Sequence, residues 1–81
     1  MNREELMKKI ISFLNEYAED TLEDCNENSQ LIADLGFNSL DLISIVNDLE
    51  EEFNIVIDDA DMDAIVTVKD VVDLIEKKKE G

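Results

Sequence analysis

A small all-α bundle is the fold class this sequence predicts, and three observations point to it. Proline is absent and only Gly36 and Gly81 are glycine, so the turn residues that a β-rich chain needs are missing. Three segments repeat apolar residues at helical spacing, and capping residues precede them. Hydrophobic residues make up 44% of the chain, enough for a packed core despite its acidity. At 81 residues, one domain spanning 1–81 is expected, with three principal helices and one short helix in an antiparallel bundle. A chain this short has little stability to spare.

The first helix is predicted over 3–17, where Leu6, Ile10, Phe13, Leu14 and Tyr17 share one stripe. Asn2 and Glu5 have capping-pair spacing, and the early glutamates suit the positive end of the helix dipole. Residues 18–37 then lose the pattern. Their spaced apolar residues Leu22, Leu31, Ile32, Leu35 and Phe37 predict an ordered loop laid across the core, with one helical turn near 30–34. Gly36 relaxes the backbone before the next helix.

That helix is predicted over 39–53. At about 100° per residue, Leu42, Ile45, Val46, Leu49 and Phe53 fall within an arc of roughly 100° and form the core stripe. Leu40, Ile43, Ser44 and Asn47 lie opposite, with Asp41, Asp48 and Glu51 around them. The run Ile55-Val56-Ile57 is too short to define a strand, and a short helix is expected within 60–65. Thr67 and Asp70 form a capping box for a last helix over 68–79, whose stripe is Val68, Val71, Val72 and Ile75. Lys77, Lys78 and Lys79 complement its negative end.

The formal charge is −15, from 22 acids and 7 bases. Such a surface repels phosphate backbones and anionic lipid, so neither nucleic acid nor membrane is an expected partner, whereas basic patches on other proteins are attracted. The fold should respond to salt and to divalent cations. Cys25, the only cysteine, permits no internal disulfide and no multi-cysteine metal site. A lone reduced thiol suits the cytoplasm. It reads as an incidental loop thiol. No basic-then-apolar signal opens the chain, and no apolar run approaches a membrane span.

Ser39 stands where the loop becomes the second helix, in a chain without histidine. Two arrangements are open. Ser39 itself is the N-cap, serine being among the best residues for that role; or Asn38 is the cap, helped by Asp41, and Ser39 becomes the first helical residue with a spare hydroxyl. In the second arrangement an anion attached to Ser39 would meet the orphan N–H groups and the positive end of the dipole.

The stretch DLGFNSLDLISIVNDLEEEFNI closely resembles the attachment motif of acyl carrier proteins, whose DSL triplet is followed by an acidic recognition helix ending in EEEF. The resemblance runs from the opening helix to TVKDVVDLIEKK and suits a free-standing, monomeric, acyl-carrier-protein-like bundle. It implies that Ser39, within Asn38, Leu40 and Asp41, is esterified with 4′-phosphopantetheine by a separate magnesium-dependent transferase. Acyl groups would then ride as thioesters on the arm. No catalytic residue and no resident metal are implied, because partner enzymes supply the chemistry.

The resemblance also gives the exposed face a role. Leu40 and Ile43, with Asp41, Ser44, Asn47, Glu50 and Glu51, would dock on basic patches of acyltransferases, ketoacyl synthases or related enzymes. Val46, Leu49, Ile65 and Val71 match positions that line an acyl-chain cleft in related carriers, and each is equally explained as plain core.

Three residues depart from the family pattern. Asn38 stands where aspartate is usual, Ser44 where glutamate is common and Asn47 where the residue is often apolar. A specialised carrier, outside bulk fatty-acid synthesis, is therefore expected. Peptidyl carriers and the D-alanyl carrier of cell-wall modification share the architecture, although the LEEEF ending and the acidity favour the acyl branch. Outside the carriers, two readings compete. Asp59, Asp61 and Asp63 occupy positions 1, 3 and 5 of an EF-hand-like loop with Asp70 at position 12, but Ala64 replaces the turn glycine and Asp70 is shorter than the usual glutamate. The other is an acidic interaction module with no covalent group.

Overall fold

The computed structural model describes residues 2–18 and 25–80. Among the described residues four helices form: α1 (Arg3–Tyr17), α2 (Ser39–Phe53), α3 (Asp59–Asp63) and α4 (Val68–Glu80). The first two coincide with the predicted spans, and α4 runs one residue further. Each start has a local chemical cause. The Asn2 side chain accepts the Glu5 N–H at 2.8 Å, and Thr67 and Asp70 exchange side-chain-to-backbone bonds at 3.0 and 3.3 Å.

The short helix differs from its expected place. It begins one residue earlier and ends at Asp63, because Asp58 and Asp61 form their own capping box. Asp58 thereby fixes the start, and no apolar stripe exists to prolong so short a helix. The Ile55–Ile57 run forms no strand, and its Ile55 and Ile57 N–H groups donate to Glu50 instead. Among the described residues no strand forms, and the only bridge joins Gln30 to Thr67 in antiparallel register.

Polar contacts between helix ends establish their relative directions. Lys9 of α1 meets Glu52 near the end of α2, and Tyr17 at the end of α1 donates to Asp48 farther back along α2. Arg3 at the start of α1 bridges Asp73 and Glu76 in the middle of α4. Helix α1 therefore runs antiparallel to α2, and it packs against α4 as well. The ends of α2 and α4 lie together, with the Lys79 ammonium donating to the Phe53 carbonyl at 3.1 Å, which satisfies a carbonyl at the negative end of α2.

The predicted stripes supply the core. Leu6, Ile10 and Leu14 of α1, Ile45, Val46, Leu49 and Phe53 of α2, and Val68, Val71, Val72 and Ile75 of α4 are all buried. Phe13, Tyr17 and Leu42 sit half-buried at the margin. The loop contributes Leu31 and Phe37, both buried, and Leu35, which packs against the core. Ile32 corrects the expectation of a fourth anchor: it is 57% exposed. The helical turn that brings Leu31 inward ties Asp34 N–H to the Gln30 carbonyl and Gly36 N–H to the Ile32 carbonyl, which turns the adjacent side chain out. Leu22 lies outside the described residues.

Candidate functional site

The loop leading into α2 and the connection before α4 are bonded to each other: Leu31 N–H donates to the Val66 carbonyl, and Val68 and Lys69 N–H groups donate to the carbonyls of Ser29 and Glu27, at 2.9–3.1 Å. Gly36 then takes φ = +78°, a conformation that a side chain would strain. Phe37, held by its N–H on the Leu31 carbonyl at 3.1 Å, plugs the core. The chain emerges at Asn38 already aimed into α2.

Asn38 is the N-cap. Its backbone is extended, its side chain accepts the Asp41 N–H at 2.9 Å, and the Asp41 carboxylate accepts the Asn38 N–H at 3.1 Å. This decides between the two arrangements open from sequence. Ser39 is the first helical residue, it is exposed, and its hydroxyl has no partner among the described residues. The N–H groups of Ser39 and Leu40 lie ahead of the first capped amide and are likewise free.

The face beyond Ser39 is as the helical arithmetic placed it. Leu40 is 75% exposed and Ile43 46%, and Ser44, Asn47 and Glu51 are exposed around them. Two acids on this helix have structural duties as well. Glu50 accepts the Ile57 N–H at 2.9 Å, bracing the turn into α3, and Asp41 serves the cap. Sequence reasoning missed the Tyr17 contact. Its hydroxyl donates to Asp48 and lies 3.4 Å from the Ser44 carbonyl, and the neighbouring carboxylate pushes its pKa up to about 12. A tyrosine closing an apolar stripe was the available signal, since its hydroxyl must find a partner at the core's edge.

Charge is sorted along the chain. Sixteen of the 22 acids and none of the seven bases fall between residues 10 and 68, the span that includes α2 and both flanking loops. Lys9, Lys78, Lys79 and Arg3 are spent on intramolecular contacts with Glu52, Asp61, the Phe53 carbonyl and Asp73, away from the Ser39 end of α2.

Behind α2 lies an apolar cavity of about 20 Å³, walled by Val46 and Leu49, by Met62 and Ile65 around α3, by Val71 of α4 and by Leu31 of the loop. All four residues matched to an acyl cleft meet there. About one water would fill it. Helix α3, which covers it, has no buried residue and is tethered to α4 by Asp61–Lys78 at 2.8 Å. The Lys78 ammonium holds the Asp61 carboxyl below its usual range. Two of the four acids of the EF-hand-like pattern are thus committed otherwise: Asp61 to α3 and Lys78, and Asp70 to the α4 cap, whose donors lower its pKa as well. Cys25 is half-buried, and burial pushes its thiol up, away from reactive thiolate character.

The family profile described as the phosphopantetheine attachment site matches residues 5–75. An acyl carrier protein of Thermotoga maritima is 44% identical over 77 residues, with 95% of each chain covered. The chain belongs to the acyl carrier protein family. Acyl carrier proteins of Cyanidium caldarium and Prochlorococcus marinus are 39% and 38% identical, covering 93% and 98% of this chain and 87% and 99% of theirs. The crystal structure of an acyl carrier protein from Thermotoga maritima superposes with a TM-score of 0.85 at 35% identity, over 99% of this chain and 93% of the other. This carrier is accordingly no catalyst. Its family is loaded with phosphopantetheine by a transferase and serves biosynthetic enzymes, and the curated relatives favour the acyl branch over the peptidyl and D-alanyl ones. Among the described residues, no helix is long and apolar enough to cross a membrane.

Proposed function

We propose that Ser39 receives the 4′-phosphopantetheine and that this carrier presents acyl groups to biosynthetic enzymes from the start of α2. One observation carries the assignment: Asn38 takes the cap, so the Ser39 hydroxyl is left uncommitted at the positive end of a 15-residue helix. A phosphodiester fits there. The free N–H groups of Ser39 and Leu40 can donate to it, and the helix dipole favours its charge. Asn38, being neutral, adds no repulsion beside it. When attached, the arm supplies the thiol on which acyl groups are carried as thioesters.

The protein's own part is presentation and shelter. Leu40 and Ile43 offer apolar contact, and Asp41, Glu50 and Glu51 offer charge to basic docking patches, with Ser44 and Asn47 between them. Electrostatic attraction of this kind mainly raises association rate and selects partners. Acyltransferases and ketoacyl synthases have the chemistry to be such partners. The cavity between Val46, Leu49, Ile65 and Val71 shelters the acyl chain, each buried methylene contributing about 0.8 kcal/mol. At about 20 Å³ it must widen, and α3 is the wall least anchored by packing. The charge and lone cysteine suit a monomeric, cytoplasmic carrier, and the neutral Ser44 and Asn47 suit a specialised one.

Intact mass after incubation with coenzyme A, magnesium and a broad-specificity phosphopantetheinyl transferase tests the attachment. The expected result is one added group on the native chain and none on Ser39→Ala. An unchanged native mass, or a group added to the variant, would overturn it.

A further inference from the structure

On the outer side of Leu31 and Ile65 lies an open groove of about 240 Å³, lined also by Gln30, Ile32, Ala33 and Val66. The small apolar cavity behind α2 uses the same two residues as part of its wall. Groove and cavity therefore adjoin at two aliphatic side chains. Ile32 and Val66 flank the groove at 57% and 51% exposure, although neither lies on the α2 docking face. Single exposed aliphatics are ordinary. Here two are held side by side by the Leu31 N–H bond to the Val66 carbonyl, over a concave floor.

We infer that this groove is the resting place of the phosphopantetheine arm, a reading that depends on attachment at Ser39. Reach is the first argument. The Gly36 N–H is bonded to the Ile32 carbonyl, and the three residues from Gly36 to Ser39 span at most about 11 Å. The rim thus lies within the length of an extended arm tethered at Ser39. Chemistry is the second. The arm has a gem-dimethyl group, which matches Ile32, Ala33 and Val66, and two amides. The Gln30 side chain at the rim is exposed and has no partner among the described residues, so its carboxamide can donate to and accept from such amides. Order is the third. An arm lying in the groove brings its thiol end to the Leu31–Ile65 wall, behind which the acyl cavity begins. Ile65, half-buried and joined to α3 by its N–H on the Met62 carbonyl, is then the side chain that must turn aside for an acyl group to enter.

Nuclear magnetic resonance on the loaded full chain tests this, with loading verified by mass. Expected are nuclear Overhauser contacts between the gem-dimethyl protons of the arm and the methyls of Ile32 and Val66, together with shift changes at Gln30 and Ala33. In Ile32→Ser/Val66→Ser the shift changes at Gln30 and Ala33 should vanish while the mass gain and helical circular dichroism persist, since both substituted side chains are surface-exposed. Loading that perturbs only residues 38–41 would overturn the groove assignment alone. Absence of the mass gain would overturn the attachment, and the groove assignment with it.

Discussion

Asn38 and Ser39 divide two jobs that either could perform. Asn38 spends its side chain on the Asp41 N–H, so Ser39 is spared for chemistry done to it by another protein. The DSL-like triplet was legible in the sequence, but the division was not. Serine and asparagine cap almost equally well, and only the extended backbone at Asn38 settles which of them does so. Tyr17 is the other residue whose role depended on the fold. Its hydroxyl donates to Asp48 and is stabilised in the protonated form, with its pKa raised from 10.0 to about 12. A group raised on folding contributes stability that is complete below its unfolded pKa and lost as pH rises through the folded one. The stability difference between the native chain and Tyr17→Phe should therefore be constant below pH 10 and shrink between pH 10 and about 12. Urea titrations across that range check this; a difference independent of pH would exclude the Tyr17–Asp48 bond as its source.

Among the elements, α3 is the one the sequence placed least well. The long helices follow from stripes and caps that agree with one another. Five residues without a buried side chain have no stripe to read, and their position rests on the Asp58–Asp61 cap and a bond to Lys78 that lies 17 residues away in sequence. The same weakness gives α3 a use, since a wall held by one partly exposed ion pair can yield to cargo. Hydrogen exchange is the matching measurement. In Lys78→Met the amides of Ala64 and Ile65, which close the end of α3, should exchange faster than in the native chain, and the difference should fade in high salt. Equal rates at low salt would mean that packing of Met62 and Ile65, rather than the ion pair, holds the helix.

At the scale of the molecule, sequence charge becomes a surface with two characters. The radius of gyration is 11.6 Å, close to the roughly 11.7 Å of a compact chain of this length. The net charge of −15 is therefore packed against its own repulsion. Raising salt from about 10 mM to about 150 mM, which shortens the Debye length from roughly 30 to 8 Å, should raise the melting temperature. The same change should slow association with a basic-patched ketoacyl synthase. At equal salt, a general synthase should capture this carrier more slowly than one bearing acids at the positions of Asn38 and Ser44. Equal rates measured by stopped flow would count against a specialised partner set.

The sequence by itself determined the helices, their buried faces, the acidic character and the motif that marks the family. Those features are local: periodicity, caps and composition act within a few residues. Tertiary structure decided which of two adjacent residues caps α2, where α3 rests, that Ile32 faces outward, and that a groove and a cavity adjoin at Leu31 and Ile65. The place of α3 and the Leu31–Ile65 wall depend on bonds between residues far apart in the chain, Leu31 to Val66 and Asp61 to Lys78, which no window of sequence contains. The α2 cap and the outward Ile32 rest on local backbone conformations between which the residue types alone do not choose.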